Sequence, residues 1–169
     1  MKKTNLILAF LLFFVTISQA QTSAGWIDYK MDNRISVKLP TQPKTINPVT
    51  QYAQGKDSAV YVLSLVDMKA SAGLDSAQLV TMGSQQEFAD GLKNGMGGAM
   101  PGYTLGDIKI GKWKNYNSYT MDGENPSQKI KLQSFMVLVG DKIYGISLML
   151  HNGKTTPDKD FFFQSLTLH

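Results

Sequence analysis

The chain has 169 residues, no cysteine and a formal net charge of +4, from 17 basic and 13 acidic residues. The lack of cysteine excludes disulfides, thiol catalysis, cysteine-ligated zinc and lipoprotein acylation at a cysteine. The basic residues are scattered, without a run of five or six like charges, so the charge does not indicate a nucleic-acid partner.

The first 20 residues are typical of a Sec-type secretory signal peptide. Lys2 and Lys3 form the basic n-region, an apolar run extends from Leu6 to Ile17, and small residues in Ser18-Gln19-Ala20 mark a cleavage site. The run is shorter than the roughly 20 apolar residues of a membrane span. We therefore predict cleavage after Ala20 and a bacterial protein that is periplasmic or secreted, without a stable membrane span. An uncleaved N-terminal anchor is the alternative.

Residues 21–169 show no repeat, low-complexity linker or composition shift, which predicts a single domain. Their predicted net charge is about +2, because cleavage removes two lysines. In RISVKLP, apolar residues alternate with polar ones, as in a strand with one wet face that ends at Pro40. Residues 58–68 are apolar on both faces, which predicts a central strand. Gly140-Asp141 predicts a hairpin between the apolar strands on either side.

Two further strands are predicted within residues 103–124, joined by a hairpin around Asn115. In a regular strand Ile110 and Lys112 would point to the same face, although one is apolar and the other is charged. We therefore expect the buried face to change at Gly111, through a β-bulge or a kink.

Two helices complete the pattern. The first is predicted from about Ser76 to Asn94, with Asp75 as N-cap and Gln78 completing a capping box. The second begins within TTPDKDFFFQSL, where three consecutive phenylalanines cannot share one helix stripe. Mostly antiparallel strands with two helices predict a layered α+β domain.

The stretch GLKNGMGGAMPG, residues 91–102, is the most distinctive in the chain. A dinucleotide-binding loop follows a strand and opens a helix, whereas this stretch follows a helix and has Met100 where the motif needs glycine. Met96 and Met100 could ligate Cu(I), but the stretch holds no histidine or third methionine. We interpret Gly95 as the left-handed residue that ends the helix, followed by a mobile loop.

Few residues are candidates for catalysis. A serine–histidine–acid site would need His151 or His169, and we expect the terminal His169 to be frayed. His151 follows Ser147 and precedes Asp158 and Asp160, but no nucleophile-elbow motif accompanies it. We predict no catalytic residue, no metal site and no cofactor. A hydrolase that uses His151, and a carrier of a small ligand or metal, are the alternatives.

Lysines interleave with aromatic residues after Lys109. The candidate contact patch consists of Lys112, Trp113, Lys114, Tyr116 and Tyr119. Such a mixture can bind single-stranded nucleic acid. Behind a secretory signal we expect no nucleic acid, and a protein or glycan instead, because tryptophan and tyrosine are favoured at interfaces. The alternative is that Trp113 and one tyrosine pack in the core across the hairpin.

Several motifs occur in a recognisable order. They are the aromatic opening Trp26–Tyr29 before RISVKLPTQP, a helix before a glycine-rich loop, the strand pair YTMDGENPSQKIKLQSFMVLVGDKIYGISL, and the closing DFFFQSLTL. In this order the chain resembles the PsbP-like fold group, which includes PsbP, the Ran-binding Mog protein and bacterial DcrB-type periplasmic proteins. The resemblance implies an α/β/α sandwich with a mostly antiparallel sheet of about six strands between helices. It also implies action by binding other proteins, and it brings no catalytic residues.

These observations predict a non-catalytic binding or accessory module of an envelope complex. The expected partner is an envelope protein whose identity the sequence does not indicate.

Overall fold

The computed structural model describes residues 25–169, so the predicted signal peptide and its cleavage site lie outside the described residues. The strands are β1 (Ile27–Lys30), β2 (Ile35–Leu39), β3 (Lys44–Asn47), β4 (Thr50–Gln54), β5 (Val60–Asp67), β6 (Thr104–Leu105), β7 (Lys109–Trp113), β8 (Tyr116–Asn125), β9 (Ile130–Val139), β10 (Lys142–His151) and β11 (Thr167–Leu168). The helices are α1 (Met68–Ala72), α2 (Ser76–Met82), α3 (Gln86–Ala99) and α4 (Lys159–Gln164). From residue 25 onward, none of these helices combines the length and the apolar character that a membrane crossing requires.

The strands form two antiparallel sheets. A three-stranded sheet has the order β1-β2-β11, and an eight-stranded sheet has the order β3-β4-β5-β10-β9-β8-β6, with β7 also paired to β8. The α+β class and the antiparallel pairing are confirmed, but the expected sheet of about six strands is wrong. The large sheet exceeds six strands because the short strands β3, β6 and β7 join its ladder. Ile35, Val37 and Leu39 of β2 instead pack against the face of that sheet, so β2 belongs to the separate small sheet.

The eight-stranded sheet separates two hydrophobic clusters. On one side, Tyr61 and Tyr144 pack with β2 and with Phe162 of α4; we call this side the strand-covered face. On the other side, Tyr119 packs with Leu79 of α2 and with α3; we call it the helix-covered face. A small sheet and one short helix therefore occupy the place where the sandwich was expected to have a second helix layer.

The position of β5 is interior, as predicted, because it pairs with both β4 and β10. Only one of its sides is fully buried, however. Tyr61 and Leu63 point into the strand-covered face, whereas Val60 and Val62 on the other side stay half-buried. The helix-side cluster is built mainly on β8, β9 and β10, so it leaves this part of β5 less covered.

The helix predicted from Ser76 to Asn94 is two helices. Its start is confirmed, since Asp75 and Gln78 form a reciprocal capping box. The break falls at Gly83, where an added Cβ would lie 2.7 Å from Leu138 Cδ2. The Tyr119 hydroxyl donates a 2.6 Å hydrogen bond to the Gly83 carbonyl, and this contact from β8 holds the break in place.

The glycine-rich stretch is mostly helical. α3 continues through Gly95 to Ala99, so the expectation that Gly95 ends the helix is wrong. Leu92 and Met96 pack into the helix-side cluster, and this tertiary packing outweighs the low helix propensity of glycine. The left-handed residue is Gly102, with φ of 86°.

Gly111 does not mark a bulge. The register of β7 on β8 is unbroken from Lys109 opposite Thr120 to Trp113 opposite Tyr116. β7 places one apolar side chain on each side of the sheet: Ile110 packs on the helix-covered face, and Trp113 packs on the strand-covered face. No change of buried face is therefore needed.

The three phenylalanines of α4 point in different directions, as predicted. Phe162 is fully buried in the core, while Phe161 meets Trp26 edge to face at 5.2 Å between ring centroids. Phe163 is half-buried and lies on a surface groove. The helix begins at Lys159, after a turn in which Thr156 Oγ1 accepts a hydrogen bond from the Asp158 N–H.

Candidate functional site

A groove lies on the strand-covered face, where the three-stranded sheet stops and α4 forms one wall. We call it the β8 groove; its volume is about 570 Å³. The residues that line it are Asp107, Lys109, Trp113, Thr120, Met121, Asp122, Gln133, Ser134, Phe135, Lys159, Phe163 and Gln164. Aromatic rings form one part of it and charged groups form much of the rest.

The sheet register explains which side chains meet in the β8 groove. Lys109 lies opposite Thr120, and Thr120 lies opposite Phe135, so the three side chains form one row on the same face. Lys159 and Phe163 are four residues apart on α4 and therefore share the helix side that faces the groove. Apart from Asp107, which lies between β6 and β7, the lining residues of the groove stand on strands and on α4.

The groove continues along the sheet into a second depression of about 580 Å³. The two share Asp122, Gln133 and Lys159, and the second one extends to Glu124 and Lys131. Together they form a channel that follows β8 and β9 away from the hairpin between β7 and β8.

Three residues of the predicted contact patch cluster at the tip of this hairpin. Lys114 Nζ lies 4.9 Å from the centroid of the Trp113 ring, a cation–π contact. The Tyr116 ring centroid is 6.4 Å from that of Trp113. Both aromatic rings are half-buried and pack against the core. Trp113 therefore has one part of its ring in the core, as one interpretation predicted, and another part at the surface, as the contact interpretation requires.

The other two patch residues lie elsewhere. Lys112 is exposed and donates a 2.6 Å hydrogen bond to Asn117 Oδ1, and strand alternation places it on the opposite face from Trp113. Tyr119 is fully buried on the helix-covered face, and this burial raises the pKa of its hydroxyl. Tyr119 is therefore a core residue and not part of an exposed surface. A contact role for the remaining residues stays a prediction.

Phe135, Phe163 and Lys159 were not anticipated as site residues. Phe135 sits in a run of apolar residues, and nothing in that run distinguishes a covered position from an open one. The spacing of Lys159 and Phe163 could have indicated that the two side chains lie together, since residues four apart share one side of a helix.

His151, the histidine that the hydrolase alternative depends on, makes no contact with Ser147. His151 is exposed at the end of β10, and Ser147 is buried with its hydroxyl donating to Ser134 Oγ at 2.9 Å. The expected fraying of His169 is wrong. Its backbone N–H donates to the Arg34 carbonyl at 2.8 Å, and its Nε2 lies 2.8 Å from Ser36 Oγ.

No group of three or more metal-ligating side chains gathers anywhere in residues 25–169. The most strongly perturbed carboxyl group is that of Asp32, in the turn between β1 and β2. Partial burial alone would raise its pKa, but hydrogen bonds from Tyr144, the backbone of Arg34 and Ile35, and Lys142 lower the pKa to about 2. Asp32 does not line the β8 groove, and its partners show that it ties the two sheets together.

Comparison with known proteins identifies the fold. No protein-family profile matches the sequence, and no curated protein matches it. The solution structure of cyanobacterial PsbP (CyanoP) from Synechocystis sp. PCC 6803 matches with a TM-score of 0.55 at 11% identity, covering 86% of this chain and 94% of CyanoP. The chain has a PsbP-like fold.

A second match is a Pseudomonas aeruginosa protein of unknown function, with a TM-score of 0.44 at 15% identity, over 82% of this chain and 92% of that one. The match to CyanoP confirms the PsbP-like resemblance found in the sequence motifs.

Proposed function

We propose that this protein is a non-catalytic binding module that is exported to the periplasm or secreted, where it acts as an accessory part of an envelope complex. The single observation that carries the proposal is the β8 groove with the Trp113–Lys114–Tyr116 tip beside it. Because a fold alone does not define a function, the PsbP-like fold only supports this reading.

The tip and the groove have the composition of a protein-binding surface. Tryptophan, tyrosine and phenylalanine supply most of the binding energy in many interfaces, since each buries a large apolar area with few rotatable bonds. The Lys114 ammonium over the Trp113 ring helps to fix that ring before a partner arrives. A side chain that is already ordered loses less entropy on binding.

Export is supported by the sequence of residues 1–20, which has the three regions of a secretory signal peptide. A cysteine-free chain needs no oxidative folding step after crossing the membrane. These features fit an envelope location for the partner.

Site-specific crosslinking in living bacteria tests this function. A photoreactive amino acid at Asn115, on the exposed hairpin tip, should give one discrete crosslinked envelope protein. The control carries the same amino acid at Lys56, in the turn between β4 and β5 at the opposite end of the sheet, and should not give that product. Identical products from both positions, or no product from Asn115, would contradict the proposal.

A further inference from the structure

We propose that the β8 groove receives a protein segment that carries one aromatic or large aliphatic side chain beside acidic residues. This inference rests on the proposed function and specifies the chemistry of its partner.

The apolar part of the groove is suited to one anchoring side chain. Trp113, Phe135 and Phe163 line it together, and each is half-buried, so each keeps apolar surface open to a ligand. The volume of about 570 Å³ falls within the roughly 300–1,000 Å³ typical of binding pockets. It exceeds the space that a single side chain fills, which leaves room for the residues that flank the anchor.

The charges around the anchor position favour an acidic segment. Lys109 and Lys159 line the groove, and Lys114 lies over Trp113. Of the two carboxylates that line it, Asp107 has its own lysine, since Lys93 Nζ is 3.9 Å from Asp107 Oδ1. Asp122 then faces two lysines in the lining, Lys109 and Lys159, and Lys114 adds a positive charge beside the groove. This positive excess attracts carboxylates and raises their rate of encounter.

The position of the groove determines how a segment is held. Its floor is formed by β8 and β9, whose backbone groups already pair with neighbouring strands. A ligand there cannot add a strand to the sheet, so side-chain contacts must supply the affinity and the specificity.

The free edge at β3 is a poorer docking place. Ile46 is 60% exposed there, and an exposed apolar side chain on an edge strand is a feature that a partner strand could contact. However, Pro43 and Pro48 flank the strand, and its register shifts between Thr45 and Asn47. Prolines and irregular register protect edge strands from pairing with other chains.

A peptide-display selection on the purified protein tests the inference, with random eight-residue peptides as the probe. We expect enriched peptides to carry an aromatic or large aliphatic residue next to aspartate or glutamate. Thr120 is exposed on the groove floor, and Thr120→Trp fills the groove without removing a core contact. This variant should bind the enriched peptides at least about tenfold more weakly. The matched control is Thr45→Trp, on exposed β3 at the far edge, which should bind them as the wild type does.

Charge is tested separately. Lys109→Glu should weaken binding of the same peptides by about tenfold at low salt, and the difference should shrink at high salt. Lys44→Glu on β3 makes the same change of charge away from the groove and should have little effect.

Three results would overturn the inference: no enrichment, enrichment without acidic residues, or equal peptide binding by Thr120→Trp and wild type. A dimer in sedimentation that only Thr120→Trp dissociates would assign the groove to a second copy of the chain instead. None of these results depends on crosslinking at Asn115, so the proposed function can survive the loss of this inference.

Discussion

The Tyr144 hydroxyl donates a 2.6 Å hydrogen bond to Asp32 Oδ2, and this contact links the eight-stranded sheet to the three-stranded one. Lys142 Nζ reaches the same carboxylate oxygen at 3.0 Å. The Asp32 side chain is 14% exposed, so its charge is largely shielded from water and depends on these donors.

Tyr144→Phe should therefore destabilise the protein by about 1–3 kcal/mol, because a largely buried carboxylate loses a charge-assisted hydrogen bond. Tyr52→Phe is the control, since Tyr52 lies in the same sheet and is half-exposed, and its hydroxyl makes no hydrogen bond within residues 25–169. Urea unfolding of both variants at pH 7 measures the difference. Equal midpoints would show that the link carries no stability.

The same carboxylate predicts an acid-dependent loss of stability. The pKa of Asp32 is about 2 in the folded protein and 3.8 in the reference state, so unfolding takes up a proton as the pH falls. Its contribution, about 2 kcal/mol, is complete above roughly pH 5 and is lost as the pH falls through 3.8 towards 2. Asp32→Asn should be less stable than wild type at pH 7 and should lose less stability between pH 5 and pH 2. Parallel pH profiles for the two proteins would contradict this assignment.

Replacement of glycines in α3 should stabilise the protein. Gly91 and Gly95 lie in the helix interior, and a Cβ added at either would have no atom within 4 Å. Gly95→Ala should therefore raise the free energy of unfolding by up to about 1 kcal/mol, and Gly91→Ala should do the same. Gly102→Ala should have the opposite effect, because φ at Gly102 is 86°. Thermal denaturation distinguishes these outcomes, and a loss of stability in Gly95→Ala would support a left-handed helix end at that position.

Tyr119 and Trp113 should have separable effects. Tyr119→Phe removes the donor to the buried Gly83 carbonyl and should cost about 1–3 kcal/mol, while crosslinking from Asn115 persists. Trp113→Ala should abolish the crosslinked product. Circular dichroism of Trp113→Ala checks that the sheet of this variant remains folded. If Tyr119→Phe lost the crosslinked product at a temperature where it is folded, that result would count against a purely core role for Tyr119.

The His169 side chain should contribute to stability. His169→Ala removes the ring contact with Ser36 Oγ and should lower the free energy of unfolding by about 1 kcal/mol. His151→Ala is the matched control, because His151 is exposed on β10 and should tolerate the change. Equal stability of the two variants would mean that the terminal ring contact has no energetic effect.

Local sequence signals predicted the local structure well. The capping box at Asp75 and the hairpins around Asn115 and Gly140-Asp141 each depend on a few neighbouring residues, and all three occur as predicted. The helix break at Gly83 could not be foreseen in the same way. It depends on a hydroxyl 36 residues away along the chain.

The groove was harder to predict than the strands that form it. Alternation shows that Phe135 shares a face with Val137, but Val137 is fully buried and Phe135 remains half-exposed. The difference arises from how far the three-stranded sheet and α4 extend over the large sheet. That extent is a property of tertiary packing, which one sequence does not reveal.

The pairing of β11 with β2 has a consequence for biogenesis. Thr167 lies opposite Ser36, so the small sheet joins segments that are far apart in the sequence. A chain that emerges from the ribosome amino-terminus first must hold the β1–β2 hairpin without a third strand until Thr167 and Leu168 have been added. Truncated products therefore leave one side of β2 unpaired, and proteases of the cell can recognise them as unfinished.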